Sequence, residues 1–178
     1  MSYCSLIWFR DGKPFAENEY RNAWGGAAKI WSDLFDTYLK RPSVPYDNWL
    51  MRCAGDDSSL WDLAKRQDLP LFERAVHAST FDRAIVRREH FQKFVCHLRE
   101  FVAKYPSNKK VDHLPAWADA IETSDAEAVG FYGTSVSENL WYQFDEQNDE
   151  SIPYDLNTGD EHFEVYDWLE SMKPTEAT

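Results

Sequence analysis

Ser5-Leu6-Ile7-Trp8-Phe9-Arg10-Asp11-Gly12 is an apolar, β-forming run that stops at a turn dipeptide. Asp-Gly next to apolar residues is a strong hairpin signal, because the tightest hairpin turns need positive φ at both central positions. The run predicts a strand ending at Arg10, with Phe15-Ala16 beginning its return.

Working outward, Glu17 to Leu39 carries apolar residues at Tyr20, Ala23, Trp24, Ala27, Ala28, Ile30, Trp31, Leu34, Phe35 and Tyr38. That is the i, i+3, i+4, i+7 spacing of a long amphipathic helix. Gly25-Gly26 interrupts it, and each glycine costs about 1 kcal/mol relative to alanine in a helix interior. The pair marks a close backbone approach or a break between two helices, in either case against the core. Arg41-Pro42 ends the segment. Pro42, Pro45 and Gly55 punctuate a turn-rich stretch with an apolar patch at Trp49-Leu50-Met51. Asp56 to Ser59 supplies caps for a short helix to about Arg66, with Leu60, Trp61, Leu63 and Ala64 inward.

Ala75–Ala78 and Ala84–Val86 read as short strands. A second clear helix is expected from Arg88 to Tyr105, burying Phe91, Phe94, Val95, Leu98, Phe101 and Val102. A short helix at 115–122 and strands at 128–133 and 140–144 follow. An acidic loop over 145–160 and a last helix from about Glu161 to Met172 complete the reading. No internal repeat and no flexible linker divides the chain. Strands and helices do not alternate regularly, so the expected fold is a single α+β domain over residues 1–178. It combines four or five helices with a small, mostly antiparallel sheet of short strands.

The chain of 178 residues holds eight Trp, nine Tyr and eleven Phe. Rings dominate cores and interfaces alike, and so many leave some for the surface. No apolar run of 18 residues exists, so no membrane span is expected. Met1–Arg10 lacks a basic region ahead of a long apolar stretch, so no signal peptide is expected either. Cys4, Cys53 and Cys96 are odd in number and widely spaced, which points to reduced thiols and a cytoplasmic setting.

Charge is unevenly distributed. Residues 1–114 hold 18 basic and 15 acidic side chains; from residue 115 onward there are 16 acids and one base, Lys173. The acidic third, 115–178, therefore carries more than the whole net charge of −12. Its acids are interleaved with rings, as in Glu138-Asn139-Leu140-Trp141-Tyr142-Gln143-Phe144-Asp145-Glu146. Rings give contact area, while acids give attraction and register. A solvated face that only keeps the chain soluble is the alternative.

Chemical motifs are sparse. His77, His90, His97, His113 and His162 form no His-Glu-x-x-His pattern, no Cys-x-x-Cys exists, and the His162-Phe163-Glu164 match to a zinc-deaminase half-motif lacks its cysteine half. No metal and no cofactor are expected. Gly133-Thr134-Ser135-Val136-Ser137 lacks the nucleophile elbow, and no glycine-rich phosphate cradle is present. Arg83, Arg87, Arg88, Lys93, Arg99 and Lys104 cluster in sequence, but the overall charge opposes binding to a polyanion.

In general character the chain resembles small acidic bacterial neutralisers, such as immunity proteins and nucleic-acid mimics, with no residue motif that names one family. The expected function is non-enzymatic: an immunity- or inhibitor-type protein that neutralises a basic protein partner, such as a nuclease toxin or DNA-binding enzyme. The expected contact residues are Trp141, Tyr142, Asp145 and Glu146, followed by Asp149, Glu150, Tyr154 and Asp155. Trp141 and Tyr142 are neighbours in a strand and face opposite sides, so one of them belongs to the core. The alternative is a hydrolase whose paired carboxylates and rings line a cleft.

Overall fold

The computed structural model describes residues 2–39, 58–107, 111–133 and 139–172. Five strands form one mixed sheet: β1 (Tyr3–Arg10), β2 (Lys13–Arg21), β3 (Ala84–Arg87), β4 (Ala128–Tyr132) and β7 (Phe163–Glu164), in the order β2-β1-β4-β3-β7. Neighbours pair antiparallel except β3 and β7, which are parallel. A separate hairpin joins β5 (Tyr142–Asp145) to β6 (Glu150–Pro153). Six α-helices occur among the described residues: α1 (Ala27–Tyr38), α2 (Ser58–Asp62), α3 (Leu71–Ala78), α4 (Phe91–Lys104), α5 (Leu114–Thr123) and α6 (Val165–Ser171). The fold is α+β, as the mixture of elements predicts.

The period of two in a strand divides the sheet into two faces. Cys4, Leu6, Trp8, Ala84, Val86 and Val129 join the helices in the main core. Ile7, Phe9, Ile85, Ala128 and Tyr132 face the other way and are covered by Trp141. The two sides of the sheet are thus closed by different parts of the chain: helices on one, and the segment holding Trp141, Tyr154 and Leu156 on the other.

The Asp11-Gly12 turn forms as its sequence predicts, with φ of 50° and 76°. It pins β2 along the full length of β1, with Tyr3 opposite Arg21 and Arg10 opposite Lys13. This overturns the first half of the helix expected over 17–39. Once the turn sets the register, Lys13–Arg21 completes ladder hydrogen bonds, and that outweighs helical spacing in a segment with few apolar residues before Tyr20. Asn22, at φ 70°, ends the strand, and α1 starts only at Ala27. Gly25-Gly26 lies at the junction, tight against His113 and Trp117 of the α5 region.

Ala75–Ala78 is not a strand but the second half of α3, which follows Pro70. Nearly every residue of that helix is buried, Glu73, Arg74 and His77 included, so no polar face reveals a helical period. The expected acidic loop over 145–160 contains β6. The last helix begins at Val165, where the Glu164 carboxylate accepts the backbone N–H groups of Tyr166 (2.6 Å) and Asp167 (2.8 Å) as its cap. The short helix after residue 57 and the long helix α4 form where expected. The patch Trp49-Leu50-Met51, Cys53 and the Ser-rich stretch 134–137 lie outside the described residues.

Candidate functional site

The acidic third is held to the sheet at defined points. Trp141 is buried, donates its indole N–H to the Phe131 carbonyl at 3.0 Å, and stands edge-on to Phe9 with ring centroids 5.0 Å apart. It is therefore core, which corrects its expected role as a contact residue: its ring fills the sheet's second face. Leu156 donates its N–H to the Gly12 carbonyl (2.7 Å), and the Asn157 amide reaches the Asp11 carbonyl (3.1 Å). The Asp-Gly turn thus anchors the C-terminal third as well as the first hairpin.

Tyr154 and Asp155 also serve the fold. The Tyr154 hydroxyl accepts the Glu161 backbone N–H at 3.1 Å and lies 3.2 Å from His162 Nδ1, and Arg83 covers its ring. Asp155 accepts the Asn157 N–H at 2.8 Å and faces Lys13 at 3.8 Å.

The β5–β6 hairpin projects from this anchor. Its register places Tyr142, Phe144, Ser151 and Pro153 on one face and Gln143, Asp145, Glu150 and Ile152 on the other. Tyr142 is half-buried at the margin of the second core, where burial, then the nearby Glu17 carboxylate, raises the pKa of its phenol. Asp145 organises the turn. Its carboxylate accepts the Asn148 side-chain amide (2.7 Å) and the Gln147 N–H (2.9 Å), and these bonds lower its pKa. Phe144 is 59% exposed and Ile152 48%. Neither was among the expected contact residues. Phe144 stands in the quoted acidic-aromatic stretch, and its position one residue from Asp145 is the signal that could have singled it out.

Ion pairing offsets part of the charge elsewhere in the acidic third. Asp119 and Glu122 pair with Arg99, Asp125 with Arg10, Glu161 with Arg83, and Glu164 with His90. Asp145, Glu146, Asp149 and Glu150 have no basic partner among the described residues. The helical bases are committed elsewhere: Arg88 to the Asp125 carbonyl, Lys93 over the Tyr166 ring and Lys104 to buried Glu73.

Beside the hairpin, a groove of about 590 Å³ is lined by Arg83, Leu140, Tyr142, Phe144 and Glu146, with Ser151 at its edge. It shares Arg83 and Leu140 with a cleft of about 400 Å³ between α1, α2, α5 and β4. Rings line that cleft, and among its lining residues Asp82 is the one carboxylate.

His97 Nδ1 lies 2.9 Å from the Tyr166 hydroxyl, and burial pushes its pKa down to about 4. Burial pushes the Cys4 thiol up to about 12, whereas Cys96 is exposed. Among the described residues no three His, Cys, Asp or Glu side chains converge as a metal site would require. No helix among them is long and apolar enough to cross a membrane. Comparison with protein-family models, curated proteins and solved structures yields no match.

Proposed function

We propose that the chain is a non-enzymatic binding protein whose β5–β6 hairpin docks on a basic surface of a protein partner and blocks it, as an immunity or inhibitor protein does. The supporting observation is a juxtaposition. Four carboxylates without basic partners among the described residues, Asp145, Glu146, Asp149 and Glu150, lie on a hairpin that exposes Phe144 on one face and Ile152 on the other. Uncompensated charge raises the encounter rate with a basic surface, and apolar anchors supply the short-range energy once water is expelled. A basic nuclease toxin or DNA-binding enzyme has the required surface. Direct binding to nucleic acid is disfavoured, because bases such as Arg83, Arg99 and Lys104 are tied into ion pairs. A reducing bacterial cytoplasm suits the free thiols of Cys4 and Cys96.

The hydrolase reading needs two converging carboxylates about 5–9 Å apart. The aromatic cleft offers one among its lining residues, Asp82, and the groove beside the hairpin offers one, Glu146. The docking reading is tested by placing a photo-crosslinking residue at position 144 and identifying what it captures at low and at high salt. Capture of a basic protein, lost at about 1 M salt where the Debye length is about 3 Å, supports it. Capture of acidic proteins, or capture indifferent to salt, overturns it.

A further inference from the structure

We propose that the aromatic cleft is a cage for a cation, the guanidinium of an arginine side chain on the basic partner. The proposal deepens the docking reading and takes from it only the source of the cation.

The walls are Trp31, Trp61, Phe81, Trp117, Phe131 and Tyr132. Trp61 stands nearly perpendicular to Trp31 (80°, centroids 5.3 Å apart) and to Phe81 (75°, 5.5 Å), so these three rings, in contact with one another, form one end of the cleft wall. Trp117 and Phe131 meet at 50° and 5.6 Å within the same lining. The faces of aromatic rings carry the negative part of their quadrupole and attract cations.

The polar groups around the cleft select the sign of the ligand. The Trp31 N–H is already donated to Thr80 Oγ1 at 2.8 Å, and the Thr80 hydroxyl is donated to the His77 carbonyl at 2.7 Å. Trp117 is almost wholly buried, its N–H included, so it presents no donor to the cleft. Arg83 turns its charge to Glu161 and to the Tyr154 ring, 4.5 Å away. Asp82 remains: it is exposed and has no basic partner among the described residues. An aromatic enclosure with one free carboxylate fits a cation on an apolar stem. Guanidinium suits it better than ammonium, since it is planar, stacks on rings and is weakly hydrated. A volume of about 400 Å³ lies within the range of ligand pockets, about 300–1,000 Å³, and has room for such a side chain. Because the cleft and the hairpin groove share Arg83 and Leu140, a partner seated on the hairpin can reach it.

The test titrates Nα-acetyl-arginine amide into the isotope-labelled full chain and follows the indole N–H resonances. Nα-acetyl-citrulline amide, of the same shape without the charge, is the control. The arginine compound is expected to shift the signals of Trp31 and Trp61 but not that of Trp8, which does not line the cleft and donates its indole N–H to Asn18. Loss of the ligand's charge, or Asp82→Asn, is expected to weaken binding about tenfold. Asp82→Asn removes no hydrogen bond or ion pair among the described residues, so its spectrum otherwise matches the parent. Equal binding of the two compounds, or no shift at Trp31 and Trp61, overturns the cage. The hairpin variant Asp145→Asn, Glu146→Gln, Asp149→Asn, Glu150→Gln separates the two readings. It should leave binding of the arginine compound unchanged, so a loss there would overturn a distinct cage. Partner binding that survives this variant, while arginine still binds the cleft, refutes the hairpin reading alone.

Discussion

The Trp141 indole occupies the space that a side chain at residue 130 would need. A Cβ on Gly130 would lie 2.6 Å from Trp141 Cζ2 and 3.1 Å from Phe9 Cε2. The glycine thus lets the ring approach β4 closely and close the second face of the sheet. Gly130→Ala is expected to cost about 1–3 kcal/mol by overpacking. Trp141→Ala is expected to cost about 3–5 kcal/mol through the cavity it leaves. Urea unfolding of both variants checks this, and a cost below about 0.5 kcal/mol for Gly130→Ala would show that the ring moves aside freely.

His77 is fully buried, stacked on Trp61 and edge-on to Phe81, and neither ring nitrogen has a hydrogen-bond partner among the described residues. Burial pushes its pKa from 6.5 down to about 3. The unfolded chain takes up this proton near pH 6.5 and the folded chain only near pH 3. The stability tied to the neutral ring is therefore present above pH 6.5 and is lost as pH falls through that window, at up to about 1.4 kcal/mol per unit. His77→Phe keeps a ring and removes both unpaired nitrogens. It should raise stability at pH 7 by about 1–2 kcal/mol and flatten the decline between pH 6.5 and 4. Denaturant unfolding across that range compares the two proteins, and parallel curves would refute the assignment.

Phe94 lies at the centre of the α4 face, fully buried and packed on Phe131 with centroids 5.7 Å apart. Phe94→Ala is expected to cost about 3–5 kcal/mol. An unfolding free energy reduced by less than about 1 kcal/mol would contradict its place in the core.

Much of this architecture is readable in order along the chain, and the failures have physical causes. Asp11-Gly12 announces its turn because few residues tolerate those φ values. The helix α4 shows because its buried face, from Phe91 to Phe101, repeats over several turns with a polar face opposite. β2 was hidden because its outward residues, such as Glu17 and Glu19, are polar and its pairing with β1 depends on a turn rather than on its own period. The site divides in the same way. Adjacency alone says that Trp141 and Tyr142 face opposite sides, but Gly130 and Phe9, distant in sequence, decide which one is buried. The even acidity of residues 115–178 conceals which carboxylates are spent. Arg10, Arg83 and Arg99 neutralise several of them through contacts made only in the folded chain.

Phe144 makes an informative single substitution because it is exposed and outside both cores. Phe144→Ala should leave stability within about 0.5 kcal/mol. Loss of partner affinity by about 2 kcal/mol, roughly thirtyfold, is expected if the ring is an anchor. Calorimetric titration of the crosslinked partner against both proteins measures it, and unchanged affinity would remove Phe144 from the interface.

Association kinetics of that partner with the hairpin variant Asp145→Asn, Glu146→Gln, Asp149→Asn, Glu150→Gln test the docking surface most directly. At 0.1 M salt, where the Debye length is about 10 Å, the parent should associate about tenfold or more faster than the variant. The difference should vanish towards 1 M salt, where the carboxylates are screened. Equal association rates with the same salt dependence would contradict the account and leave the hairpin's carboxylates as solvated surface.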